Sequence, residues 1–145
     1  GNSFDPVTGT YLYNYEMLQA FASVDFEAFG LPATAFGNWV NNQDAPRFDT
    51  AYSLGFGLGE AKAPGSWELG YLYKDVEADA VFGLLTDSDF GGGGTDAKGH
   101  VVSATYAIHS AWNAKFTYFI NEVDADTGTE HDYNRLQLDL NFKYK

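Results

Sequence analysis

Large apolar residues recur along this chain with a period of two. In Tyr52-Ser53-Leu54-Gly55-Phe56-Gly57-Leu58-Gly59 every even position is large and apolar and every odd one is small. In Trp67-Glu68-Leu69-Gly70-Tyr71-Leu72-Tyr73-Lys74 the odd positions carry the large apolar face. The C-terminal stretch is the cleanest case. Leu136, Leu138, Leu140, Phe142 and Tyr144 line one face; Arg135, Gln137, Asp139, Asn141 and Lys143 line the other. Successive side chains of a strand point to opposite sides, so each such segment has one apolar and one polar surface, which a helix would smear around its circumference. The pattern predicts seven strands, at Tyr15–Glu27, Ala33–Asn42, Thr50–Glu60, Trp67–Val76, His100–His109, Ala111–Val123 and Tyr133–Lys145. Their lengths exceed the ~5–6 residues usual in soluble sheets and approach the ~9–11 of a tilted membrane strand. Pro6, Pro32, Pro46 and Pro64 all fall between strands or at a strand start, where a missing N–H breaks no ladder. No helix is required, although Val76–Leu85 can form a short turn of one.

The connections alternate in length. Glu27–Pro32, Ala61–Ser66 and His109–Ala111 are short, whereas Asn42–Asp49, Asp75–Gly99 and Asp124–Asp132 are long and polar. Short turns at one end and long loops at the other are the habit of outer-membrane barrels. In that arrangement Phe29, Trp67, Trp112 and Tyr144 cluster at one interface, with Trp39, Tyr73 and Tyr133 near the other, as aromatic girdles do.

Composition narrows the picture further. The 145 residues suit one domain, and 20 acidic against 8 basic side chains give a net charge of −12. That balance argues against nucleic acid, whose phosphates need clustered Lys and Arg. The absence of cysteine removes disulfides, thiolate metal sites and thiol nucleophiles together. No apolar run reaches ~18 residues, which excludes a transmembrane helix but not a β-barrel, whose alternation hides its apolarity. The chain opens Gly1-Asn2-Ser3-Phe4, without the basic and apolar regions of a signal peptide. The expectation is therefore a mature form or a piece of something longer.

Alternation alone leaves open which face is inside. A soluble ligand-carrying barrel would turn Leu136, Leu138, Leu140 and Phe142 inward; a membrane barrel would turn them out. Two features favour the second. The opposite face holds Ser53, Gly55, Gly57, Gly59, Gly70, Ser103 and Thr105 rather than a Lys/Glu-rich surface. Charge also concentrates outside the strands, at Asp75, Glu77, Asp79, Asp87, Asp89, Asp96, Asp124, Asp126, Glu130 and Asp132.

Longer stretches carry a family resemblance. Gly65-Ser66-Trp67-Glu68-Leu69-Gly70-Tyr71-Leu72-Tyr73-Lys74-Asp75-Val76-Glu77-Ala78-Asp79-Ala80 and Leu84-Leu85-Thr86-Asp87-Ser88-Asp89-Phe90-Gly91-Gly92-Gly93-Gly94-Thr95-Asp96-Ala97-Lys98-Gly99-His100 are similar to a Putative porin family of Gram-negative bacteria. The similarity continues through Thr117-Tyr118-Phe119 and Tyr133-Asn134-Arg135-Leu136-Gln137-Leu138-Asp139-Leu140-Asn141-Phe142. It covers most of the chain from Tyr15 onward. The resemblance implies an outer-membrane β-barrel passing small solutes. It also implies a C-terminal fragment, since members of that family are far longer. Single-chain bacterial barrels have even strand numbers from eight. Seven strands would close only with Gly9–Asn14 as an eighth, residues 1–14 otherwise being loop, or by assembly with copies of the chain.

Candidate sites follow from register and loop chemistry. Glu68, Lys74, Lys115, Arg135, Asp139 and Lys143 are expected on the lumen side, where charged side chains set the field felt by passing ions. In a soluble barrel they would be ordinary solvated charges. Asp87, Asp89 and Asp96 flank four glycines and are candidate calcium ligands. They lack EF-hand spacing, and the alternative is a solvated loop that folds into a barrel mouth and narrows it. Gly55-Phe56-Gly57-Leu58-Gly59 lies in a strand pattern without a following Lys-Ser/Thr, so it is no phosphate loop. His100, His109 and His131 share no metal spacing, and no Gly-x-Ser-x-Gly elbow appears. The expectation is an all-β, antiparallel up-and-down meander of seven to eight long strands, forming a barrel or part of one. It spans residues 1–145, acts in the outer membrane by passive diffusion, and needs no catalysis or cofactor. Its partners are outer-membrane lipid and small hydrophilic solutes or ions. The alternative is a soluble β-barrel binding module with its apolar strand faces inward.

Overall fold

The computed structural model describes residues 1–143, which form one seven-stranded antiparallel sheet in sequence order. The strands are β1 (Met17–Ala28), β2 (Leu31–Asn42), β3 (Thr50–Gly59), β4 (Trp67–Val76), β5 (Ala97–His109), β6 (Trp112–Val123) and β7 (His131–Phe142). A single 3₁₀ turn at Gly83–Leu85 stands where the short helical turn was expected. At about 3.3 Å per residue a strand of 12 residues reaches roughly 40 Å, ample for a tilted crossing of a bilayer. The strands β1 and β7 pair with β2 and β6 alone, so the sheet is not closed.

The ends shift slightly from expectation. β1 starts at Met17, because Asn14 and Glu16 are drawn into the cap by Asn42. β5 starts at Ala97, extending the ladder with β4 and β6 by three residues. β7 starts at His131, two residues before the expected Tyr133, so Asp132 lies inside a strand; Asp75 lies inside β4, whose bounds are the expected ones. Gly9–Asn14 forms no strand; an isolated bridge links Phe4 and Tyr11, and Tyr11 packs on Phe82.

Three tight connections join the hairpins at one end. Phe29 and Gly30 both adopt positive φ, 57° and 73°, the handedness that matches strand twist in a two-residue hairpin loop. The other end carries residues 43–49, 77–96 and 124–130, which pack on each other and on the N-terminal segment.

Register sorts the faces. One row runs Ala35, Phe56, Tyr71, Val102, Tyr118 and Leu136 from β2 to β7, with Val24 of β1 beside it. This face is exposed: Leu138 is 74 % accessible and Leu140 64 %. The soluble alternative needed these residues packed inside, and here they are not. Residues of the opposite face, from Thr34 of β2 to Asp139 of β7, line a common cleft, which requires the sheet to curl around that face. Conventional packing is confined to the long-loop end. There Val40, Ala51, Val76 and Ala80 form one cluster, and Phe90, Ala97, Phe119 and Val123 another.

Aromatic residues at the two ends of the apolar face pair across strands. Trp112 lies edge-on to Phe142, with ring centres 4.7 Å apart, at the turn end. Tyr52 and Tyr73 pack together near the loop end, where Trp39 is the neighbour of Tyr52. Tyr133 is not part of that band. Its register opposite Asn121 turns it to the concave face, against the cluster around Phe90. Tyr144 lies outside the described residues.

Candidate functional site: an inward-folded loop over a charged wall

The longest connection, residues 77–96, does not project away from the sheet. Its base is fastened first. Asn2 donates to the Ala78 and Val81 carbonyls at 2.7 and 2.9 Å and accepts from the Gly83 N–H at 2.9 Å. Buried Asp79 accepts from both the backbone and the hydroxyl of Ser3. Asn42, fully buried, donates to the Asp79 and Asn14 carbonyls. Asn42 and Asp79 are out of water and satisfied, the condition for tolerating their burial.

The tip is then pinned to the wall. Phe90 is 2 % exposed, packed against Ala97, Phe119 and Val123. The Gly91 N–H donates to Asn121 Oδ1 at 3.1 Å. Gly91 has φ 61°, and a Cβ there would sit 2.7 Å from that of Ala97 and 2.9 Å from Val123 Cγ1. Only glycine meets both the backbone and the space requirement. Lys74 Nζ lies 4.8 Å from the centre of the Phe90 ring, a cation–π contact, and Arg135 Nη1 is 2.9 Å from Asp89 Oδ1.

Below the tip, charged side chains line up across strands. Glu68 is the partner of Thr105, Thr105 of Lys115, and Lys115 of Asp139. Glu68, Lys115 and Asp139, with Asp87 and Asp89 of the loop, border a cleft of about 680 Å³. Two glycines of the wall make room for their neighbours: the Phe36 ring lies over Gly55, and the Ser103 hydroxyl over Gly70. The glycine-rich stretch Gly55–Gly59 is thus strand wall, in β3.

Of the six residues expected on one face, five share it in register. Glu68, Lys115 and Asp139 fall in one row, Lys74 and Arg135 nearer the loops. Lys143 is exposed just beyond β7, where its N–H bonds the Ala111 carbonyl.

The three calcium candidates take separate partners. Asp87 accepts from the Asp89 N–H, Asp89 pairs with Arg135, and Asp96 is buried, accepting from Asp126 N–H and from the Thr127 N–H and hydroxyl. No group of three His, Asp or Glu side chains is placed to hold a metal among the described residues. Asp96 is a loop-to-loop fastener.

Two cap carboxyls titrate high. Burial raises Glu77, which accepts from the Thr50 N–H, and Asp126, which accepts from the Ala78 N–H. Sequence reasoning missed the anchors Phe90, Gly91 and Asn121. The available signal was an aromatic residue followed by four glycines in a connection far longer than a turn requires.

The Putative porin family model matches residues 7–144 of this chain. No curated protein and no solved structure matches it.

Proposed function

Since the chain belongs to the Putative porin family, we propose that it is part of the wall of an outer-membrane β-barrel. Through that barrel small hydrophilic solutes or ions diffuse passively. The observation that carries this reading is the inverted burial of the sheet. Leu136, Leu138, Leu140 and Phe142 are exposed, while the face bearing Glu68, Lys115, Arg135 and Asp139 curls around a cleft. Water favours the reverse, burial of large apolar side chains; lipid favours this one. The apolar face meets outer-membrane lipid, with Trp67, Trp112 and Phe142 at one interface and Trp39, Tyr52 and Tyr73 at the other. The concave face is the water path, lined by Glu68, Lys74, Lys115, Arg135 and Asp139, with Lys143 at its turn-side rim. The loop pinned at Phe90 and Gly91 narrows that path.

Diffusion through such a path needs no nucleophile, cofactor or metal. The open edges of β1 and β7 run the same way, since six antiparallel pairings separate them. Antiparallel closure therefore takes an odd number of further strands, which gives the even total of bacterial barrels. The test is conductance of the full-length protein in a planar bilayer. Stepwise ion-permeable openings are expected. A silent bilayer containing demonstrably folded protein would count against the proposal.

A further inference from the structure

The concave face carries charges of both signs, and the inward-folded loop engages them unequally. Both basic side chains near its tip are taken up by successive loop residues: Arg135 by Asp89, at 2.9 Å, and Lys74 by the Phe90 ring, at 4.8 Å. Phe90 is itself held in a buried cluster, so these partners are fixed in place. The adjoining cleft is bordered by Glu60, Glu68, Asp87, Asp89 and Asp139 against a single ammonium, Lys115, among the described residues. Asp89 is matched by Arg135 and Glu60 by Lys62. Glu68, Asp87 and Asp139 remain, against Lys115 at the cleft and Lys74, whose charge the neutral Phe90 ring does not cancel, an excess of one negative charge.

We propose that this passage selects small cations over anions, and that Glu68, Asp87 and Asp139 set the preference. The inference rests on the concave face being the water path. It follows from the loop, which brings Asp87 and Asp89 to the wall: without them Glu68 and Asp139 would face Lys74, Lys115 and Arg135, an excess of one positive charge. Walls of low dielectric focus such a field into the gap, and charged side chains lining a pore decide which ion enters. No bound ion is needed. One excess charge felt at about 10 Å through screened water favours cations over anions by roughly 1.7-fold at ~0.1 M salt.

The measurement is the zero-current potential of the full-length protein in a planar bilayer under a KCl gradient. A potential of the sign set by K⁺ is expected, with a permeability ratio of about 1.7. The double variant Glu68→Gln, Asp139→Asn should bring the ratio to one or below, while Arg135→Gln, which releases Asp89, should raise it. Raising salt from about 0.1 M to about 1 M should carry the unaltered protein toward a ratio of one. That arm does not depend on any variant folding. Anion preference, or a ratio insensitive both to salt and to the double variant, overturns the inference while leaving the channel reading standing. A silent bilayer overturns the channel reading and this inference with it.

Discussion

The loop cap and the sheet wall obey opposite rules. In the cap, the polar side chains of Asn42, Asp79 and Asp96 are fully buried, and each is held by two or more hydrogen bonds. In the wall, the leucines of β7 are left out, and Arg135 and Asp139 of the same strand are turned to the concave face. The cap is thus built as a water-soluble structure is, from satisfied polar groups and small apolar clusters. The wall is built for surroundings that accept hydrocarbon. In the proposed reading, one chain changes solvent within the length of a strand.

The comparison can be broken most forcefully at the wall. Leu138→Arg places a charge in the middle of the apolar face. In lipid vesicles it should cost about 2–4 kcal/mol of folding free energy, measured by denaturant titration of the full-length protein. A cost below about 0.5 kcal/mol, ordinary for a solvated surface position, would mean that this face does not meet lipid.

The cap should respond to a different change. Asp79→Ala removes the acceptor of two Ser3 donors. The expected cost is about 1–3 kcal/mol, and it should be local. Limited proteolysis would cleave residues 1–16 faster while the strands stay protected; a uniform loss across the sheet would show that cap and wall are not separable. Gly91→Ala tests the joint between the two. The new methyl meets Ala97 and Val123 at a positive φ, a strain of about 1–3 kcal/mol that should lift the loop tip from the wall. Larger single-channel conductance and faster cleavage within residues 86–96 are the expected readings, and unchanged conductance would remove the loop from the path.

The smallest effect is one of pH. Burial raises Glu77 above 4.5 and Asp126 above 3.8, with Asp75, Asp49 and Asp96 adding repulsion. The folded cap then binds these protons more tightly than the unfolded chain does. Its stability falls as pH rises from those ordinary values through the raised ones. Amide exchange at Thr50 and Ala78, corrected for intrinsic rate, should therefore show less protection at pH 7 than near pH 4. Glu77→Gln with Asp126→Asn keeps an oxygen acceptor at each site and should flatten that slope.

The amino-acid sequence by itself determined the strands, their faces and their order of turns and loops. Period-two alternation is a local property, fixed by the geometry of an extended backbone, so Leu136 to Phe142 announce their face without any neighbour. It therefore also sorted Glu68, Lys74, Lys115, Arg135 and Asp139 onto the other face. Tyr133 was misplaced because it was judged by residue type rather than by its own register.

What the tertiary structure alone decided is which residues meet across long separations. The pairing of Arg135 with Asp89 and the fastening of Asp126 by Asp96 join residues 30 or more positions apart, and the seat of Phe90 is completed by Phe119 and Val123, 29 and 33 positions on. No periodicity encodes such meetings. They depend on a loop free to go out or in, and the choice rests on packing one aromatic ring and one glycine against a wall formed elsewhere in the chain.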